Sequence, residues 1–121
     1  MKVEIRERWA SALRSGRFKP AKGAECLHRG HGAPSYCAFG VLVKLAEEET
    51  GLPLFCELPG ERNEMCAALI GRDRWAIFEP WAGMVGARYG WSQDGRLVAA
   101  VLAANDAGAT FEAIAEMVEA G

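Results

Sequence analysis

A chain of 121 residues is the length of one domain, here 1–121, and can bury one modest apolar core. Half of its residues are apolar and a quarter are charged, which excludes the disordered and collagen-like classes. Its net charge of -2 excludes a general attraction to nucleic acid or to an acidic membrane surface.

The average conceals an asymmetry. Through His31 the chain carries eight Lys or Arg against three Glu, about +5; from Gly32 onward it carries six against thirteen acids, about -7. Two readings follow: a basic arm that touches nucleic acid through Arg14, Arg17, Lys19, Lys22 and Arg29, or two halves that attract each other within the fold. Met1 to Arg6 holds charges where a secretory leader needs an apolar run, and no stretch approaches ~20 consecutive apolar residues. The expectation is a cytoplasmic chain with no membrane association. In that compartment Cys26, Cys37, Cys56 and Cys66 are read as thiols rather than as a disulfide frame.

In chain order, Ile5, Trp9, Ala12 and Leu13 recur at helical spacing, with Glu4 and Arg8 four apart and Ser15-Gly16 as the stop. From Gly16 to Ser35 the Gly-, Lys- and Arg-rich chain shows no sustained periodicity and reads as a long surface loop, with a short extended pairing as the alternative. Ser35 is the expected N-cap of a second helix bearing Ala38, Val41, Leu42 and Leu45 and ending at Gly51. Glu47, Glu48 and Glu49 in its last turn, where the dipole disfavours anions, read as a solvated charge run. Leu54-Phe55-Cys56 lies between prolines and is at most a short edge strand. Glu61 to Ile70 is expected to form a brief helix, and Glu79 to Met84 a short helical turn amid irregular chain. Ser92 caps a helix carrying Leu97, Val98, Val101 and Leu102. Asn105-Asp106-Ala107-Gly108 reads as turn chemistry, and Thr110 caps a last helix with Phe111, Ile114, Ala115 and Val118 on its buried face. The expected fold is mainly α: four or five helices, a small β element between the first loop and Leu54, and long loops.

Four segments of the sequence carry a motif pattern. Trp9-x-x-Ala12-Leu13-x-Ser15-Gly16 precedes Tyr36-Cys37-Ala38-Phe39-Gly40-Val41-Leu42 and Pro80-Trp81-Ala82-Gly83-Met84. Leu102-x-x-Asn105-Asp106-x-Gly108-x-Thr110-Phe111-x-x-Ile114-Ala115 closes the chain. This order resembles a family of small uncharacterised bacteriophage and prophage proteins. The resemblance implies phage or prophage origin and residence in the bacterial host, and it implies no reaction.

Two sets of residues invite a chemical reading. Cys37, expected in the first turn of a helix, could serve as a thiolate nucleophile with His28 or His31 as base; the plainer reading is a small buried sulfur. Cys26, His28, His31 and Cys37 together supply two sulfurs and two nitrogens, a set that suits zinc, although the C-x-x-C pair that marks most zinc sites is missing. With no Walker loop, G-x-S-x-G elbow or H-E-x-x-H, the sequence favours a binding protein over an enzyme. The binding candidates are Trp75, Tyr89 and Trp91 with Arg72, Arg74 and Arg88 interleaved, residue types enriched at interaction hot spots. The same rings could instead fill the core, and Trp81, as part of the motif pattern, is assigned there. The expected partner is a host protein, for instance a defence complex that the chain would inhibit, with nucleic acid as the alternative.

Overall fold

The computed structural model describes residues 1–21, 27–28, 34–55 and 70–121, at 27, 28 and 72 through the backbone alone. The described residues form five α-helices: α1 (Val3–Arg14), α2 (Ala38–Thr50), α3 (Trp75–Ala82), α4 (Gln93–Asp106) and α5 (Phe111–Ala120). A 3-10 turn, Arg72–Arg74, leads into α3. The protein is thus mainly α with a small β element, as its apolar periodicities predict.

The helices bury most of the stripes that their spacing defines, with Ala12, Leu45, Leu97 and Leu102 only partly buried against the core. α1 buries Ile5, Trp9, Ala10 and Leu13 and packs on α5 and α2. α5 buries Phe111, Ile114, Ala115 and Val118 against α1 and α4. The first half of α2 is apolar all round and correspondingly central, and the helix buries Ala38 through Val43 and Ala46. Its Phe39 is the hub of an aromatic cluster, with ring centroids 6.4 Å from Trp9, 6.4 Å from Trp75 and 5.7 Å from Phe78. The Trp9 indole N–H is satisfied within this core, donating to the Ala38 carbonyl at 2.9 Å.

The segment expected to be one long surface loop contains three two-residue strands: β1 (Lys19–Pro20), β2 (Leu27–His28) and β3 (Ser35–Tyr36). They lie in the order β1-β3-β2, with β1 parallel and β2 antiparallel to β3. Pro20 sits on an edge strand, where its missing N–H costs no ladder bond. Phe18, Ala21, Ser35 and Tyr36 are buried, so this part of the segment adds to the core rather than running over the surface. Its link to the region after α2 is ring packing rather than strand pairing: Phe55 lies 6.2 Å from Tyr36 and makes a single antiparallel bridge to Ile70. The helix expected over 61–70 falls outside the described residues, except for Ile70.

Helix ends follow the expected chemistry at four places and depart at two. Gly51 closes α2 in the left-handed region (φ 71), the Ser92 Oγ accepts from Gly95 N–H at 2.8 Å, and the Thr110 Oγ1 accepts from Ala113 N–H at 3.1 Å. α1 likewise stops at Ser15. The N-cap of α2 is Cys37 rather than Ser35, which is committed to β3; Cys37 Sγ accepts from Gly40 N–H at 3.3 Å. The aromatic segment carries a longer and earlier helix than expected, because Trp75 and Phe78 join the Phe39 cluster and pull the chain into helix from residue 75.

Asn105, expected in a turn, is a buried member of α4. Its Oδ1 accepts from Ala38 N–H at 3.0 Å, and its Nδ2 donates to the Ala21 carbonyl at 3.3 Å. One side chain thereby satisfies an orphan donor at the start of α2 and an acceptor just past β1.

Candidate interaction surface

The segment between α3 and α4 is built to hold its shape. α3 ends on Gly83, whose positive φ (68) closes the helix and whose missing side chain matters as well. A Cβ there would come within 2.6 Å of Lys2 Cγ, and Lys2 N–H donates to the Ala82 carbonyl at 2.9 Å. The next turn closes with Tyr89 N–H donating to the Gly86 carbonyl at 2.9 Å. The buried Ser92 hydroxyl lies 2.6 Å from the Gly86 carbonyl and 3.1 Å from that of Tyr89, while accepting from Gly95 N–H. Two carboxylates pin the backbone from either side. Glu79 accepts from Ala87 N–H at 3.2 Å, and Asp94 accepts from Val85 N–H at 2.9 Å and from the Met1 amine at 3.4 Å.

The segment buries some of its side chains and exposes others. Met84 and Ala87 are buried, whereas Val85 is 76% exposed, Trp91 74% and Tyr89 44%. The Tyr89 and Trp91 rings stack at 5.8 Å with an interplanar angle of 16°. The Arg88 guanidinium stands 5.2 Å from the Tyr89 ring centroid and 6.0 Å from that of Trp75, within cation–π range of both. The result is a short tier of flat groups ending in an open indole face.

This arrangement divides the residues that the sequence grouped together. Tyr89, Trp91 and Arg88 form the exposed tier. Trp75 does not belong to the surface: it is 1% exposed in the Phe39 cluster, so its hot-spot reading is corrected to core. Trp81 packs partly buried against the same core, as its place in the motif pattern predicts. Arg74 lies in the 3-10 turn before α3, together with the backbone of Arg72, and no described contact joins Arg74 to the tier. Val85 was missed by sequence reasoning, since one valine among glycines has no periodicity to report which way it faces.

Three arginines of the basic N-terminal segment are paired with carboxylates of the acidic remainder. Arg14 holds both Glu112 (3.1 Å) and Glu119 on α5, Arg17 pairs with Glu48, and Arg8 with Glu49. Arg8 holds the Glu49 carboxyl below its ordinary value of 4.5, and Arg14 does the same to Glu119, in each case against an opposing effect of burial. The Glu47 carboxylate accepts from Leu54 N–H at 2.7 Å and Phe55 N–H at 3.3 Å. The acidic run at the end of α2 is therefore not simply solvated. All three carboxylates have partners, two of them from the basic segment, which is the mutual attraction of the two halves. Lys19 is exposed in β1; Lys22 and Arg29 lie outside the described residues.

The chemical candidates fare differently. Cys37 is 1% exposed and disulfide-bonded, its partner lying outside the described residues. That corrects both its reading as a thiol and its reading as a nucleophile, because a buried sulfur bonded to sulfur offers neither a thiolate nor access. The zinc set loses Cys37 for the same reason. Cys26 and His31 lie outside the described residues, as does the His28 side chain, and no metal-ligating cluster of three exists among the described ones. A shallow groove of about 440 Å³ between α1 and α2 is lined by Arg8, Ser11, Arg17 and Leu45 and is flanked by the two ion pairs described above. Among the described residues its hydroxyls have no imidazole beside them.

A family model described as a domain of unknown function (DUF8296) matches residues 1–121. No curated protein and no solved structure matches the chain.

Proposed function

The chain belongs to the DUF8296 family, and on the strength of its surface we propose that it works by binding a protein partner through the tier formed by Arg88, Tyr89 and Trp91 with Val85 beside it. The observation that carries this reading is Trp91, 74% exposed on a segment whose backbone is held by Glu79, Ser92 and Asp94. Covering an indole so exposed removes on the order of 150 Å² from water, about 4 kcal/mol before the costs of association. A braced backbone reduces the ordering entropy that a floppy loop would forfeit on docking. Tyr, Trp and Arg in one patch are the residue types that dominate measured hot spots.

The resemblance of its motif order to small bacteriophage and prophage proteins supports the rest of the proposal: an accessory protein whose partner is a bacterial host protein, with inhibition of a defence complex as the biological role. The competing nucleic-acid reading is weakened because Arg14 and Arg17, two of its five residues, already hold carboxylates. The test is affinity capture from bacterial host lysate with the wild type and Trp91→Ala in parallel. The expected result is a stoichiometric protein retained by the first and lost by the second, with both melting at the same temperature. Equal retention by Trp91→Ala, or no stoichiometric protein with the wild type, rejects the reading.

A further inference from the structure

Resting on the docking role proposed above, we infer that the partner segment received by this tier is acidic, presenting a carboxylate to Arg88 beside a flat apolar side chain that covers Trp91. The charges around the tier are unbalanced in a specific way. Its two neighbouring anions are turned inward, Glu79 onto Ala87 N–H and Asp94 onto Val85 N–H and the Met1 amine. Its cation is not matched among the described residues. Arg88 is exposed and holds no carboxylate there, whereas Arg8, Arg14 and Arg17 each hold at least one. Where this protein has an acid within reach of an exposed arginine on α1 or just after it, it uses it; at the tier it leaves the arginine open.

Stacking makes that opening selective. The Arg88 guanidinium stands over the Tyr89 ring, 5.2 Å from its centroid, and a carboxylate is the group that a guanidinium can hold with two parallel hydrogen bonds. The exposed Trp91 ring and Val85 supply apolar surface alongside. Single-stranded nucleic acid would also use stacking rings and arginines, but it draws its affinity from many phosphate contacts. One unmatched arginine at the tier of a chain of net charge -2 suits a carboxylate better than a phosphate backbone.

The test uses a short peptide of Glu-Pro-Leu repeats, its Gln-Pro-Leu counterpart and oligo-dT, each titrated into the full chain at low salt while tryptophan fluorescence is followed. The Glu peptide is expected to change the fluorescence saturably, with about tenfold weaker binding for the Gln peptide and for the Arg88→Gln variant. Trp91→Phe should remove most of the fluorescence change. Equal affinity for the two peptides, or no loss in Arg88→Gln, overturns the acidic partner; so does no binding of the Glu peptide, and so does tighter binding of oligo-dT. The docking role fails separately. A lysate partner kept by Arg88→Gln but lost by Trp91→Ala sinks the acidic inference and leaves docking standing, whereas one kept by Trp91→Ala sinks docking itself.

Discussion

Gly95 and Asn105 show how single residues carry long-range structure here. Gly95 lies in the first turn of α4, where helix propensity alone favours alanine by about 1 kcal/mol. A Cβ at this position, however, would fall on the Tyr89 carbonyl oxygen, so the turn bearing Tyr89 and Trp91 can pack only over a glycine. Gly95→Ala is therefore expected to lower stability by about 1–3 kcal/mol and to weaken the near-ultraviolet dichroism of the Tyr89–Trp91 pair. A variant as stable as the parent would show that the turn moves at no cost. Asn105→Ala removes the acceptor of Ala38 N–H and the donor to Ala21 in one step. A loss of about 1–3 kcal/mol is expected by denaturant titration. Asn105→Asp should not restore it, because a carboxylate cannot donate to the Ala21 carbonyl.

At the scale of the element, α2 depends on connections beyond its own sequence. Its N-terminus is closed by Cys37, whose sulfur both accepts from Gly40 N–H and belongs to a disulfide. In protein unfolded without reductant, Cys37 should resist alkylation and become labelled only after reduction, as read by peptide mass spectrometry. Labelling before reduction would contradict the bond. The other end of α2 is tied by Glu47 to Leu54 and Phe55, and by Glu48 and Glu49 to Arg17 and Arg8. Helix limits were readable where a single residue type governs them: Gly51 for the left-handed stop, Ser92 and Thr110 for side-chain caps. They were not readable at Ser35, which has the chemistry of a cap but is claimed by the strand beside β1. Nor were they readable at Trp75, where aromatic packing on Phe39 decides that helix forms.

For the whole molecule, the charge split between the first 31 residues and the rest appears as ion pairs that fasten α1 and the turn after it to α2 and α5. Glu49 and Glu119 are depressed in the folded chain, so the stability they add is complete above the ordinary carboxyl value of 4.5 and is lost as pH falls through their lower folded values. The melting temperature is expected to hold steady between about pH 6 and 5 and to decline below 4.5. The decline should be modest, because the pairs are exposed, and it should shrink in about 1 M salt. Arg14→Gln should flatten the decline; a melting temperature that rises on acidification would refute this assignment. Of the exposed tier, the sequence revealed the residue types and their stretch. It did not separate Trp75 from Trp91, since both are tryptophans near glycine and arginine and only their neighbours in space differ.

What the sequence by itself determined is local and one-dimensional. Four apolar stripes at helical spacing, their caps, and the imbalance between a basic beginning and an acidic remainder all follow from the order of residues, because each depends on neighbours within a few positions. Tertiary structure alone decided which tryptophan is buried, which arginines are matched, and that Asn105 binds α2 and the end of β1 to α4. Those outcomes rest on contacts between residues distant in the chain, 67 positions for Asn105 with Ala38 and 84 for Asn105 with Ala21. A periodic pattern states that a face must be covered, and only the packed chain specifies by what.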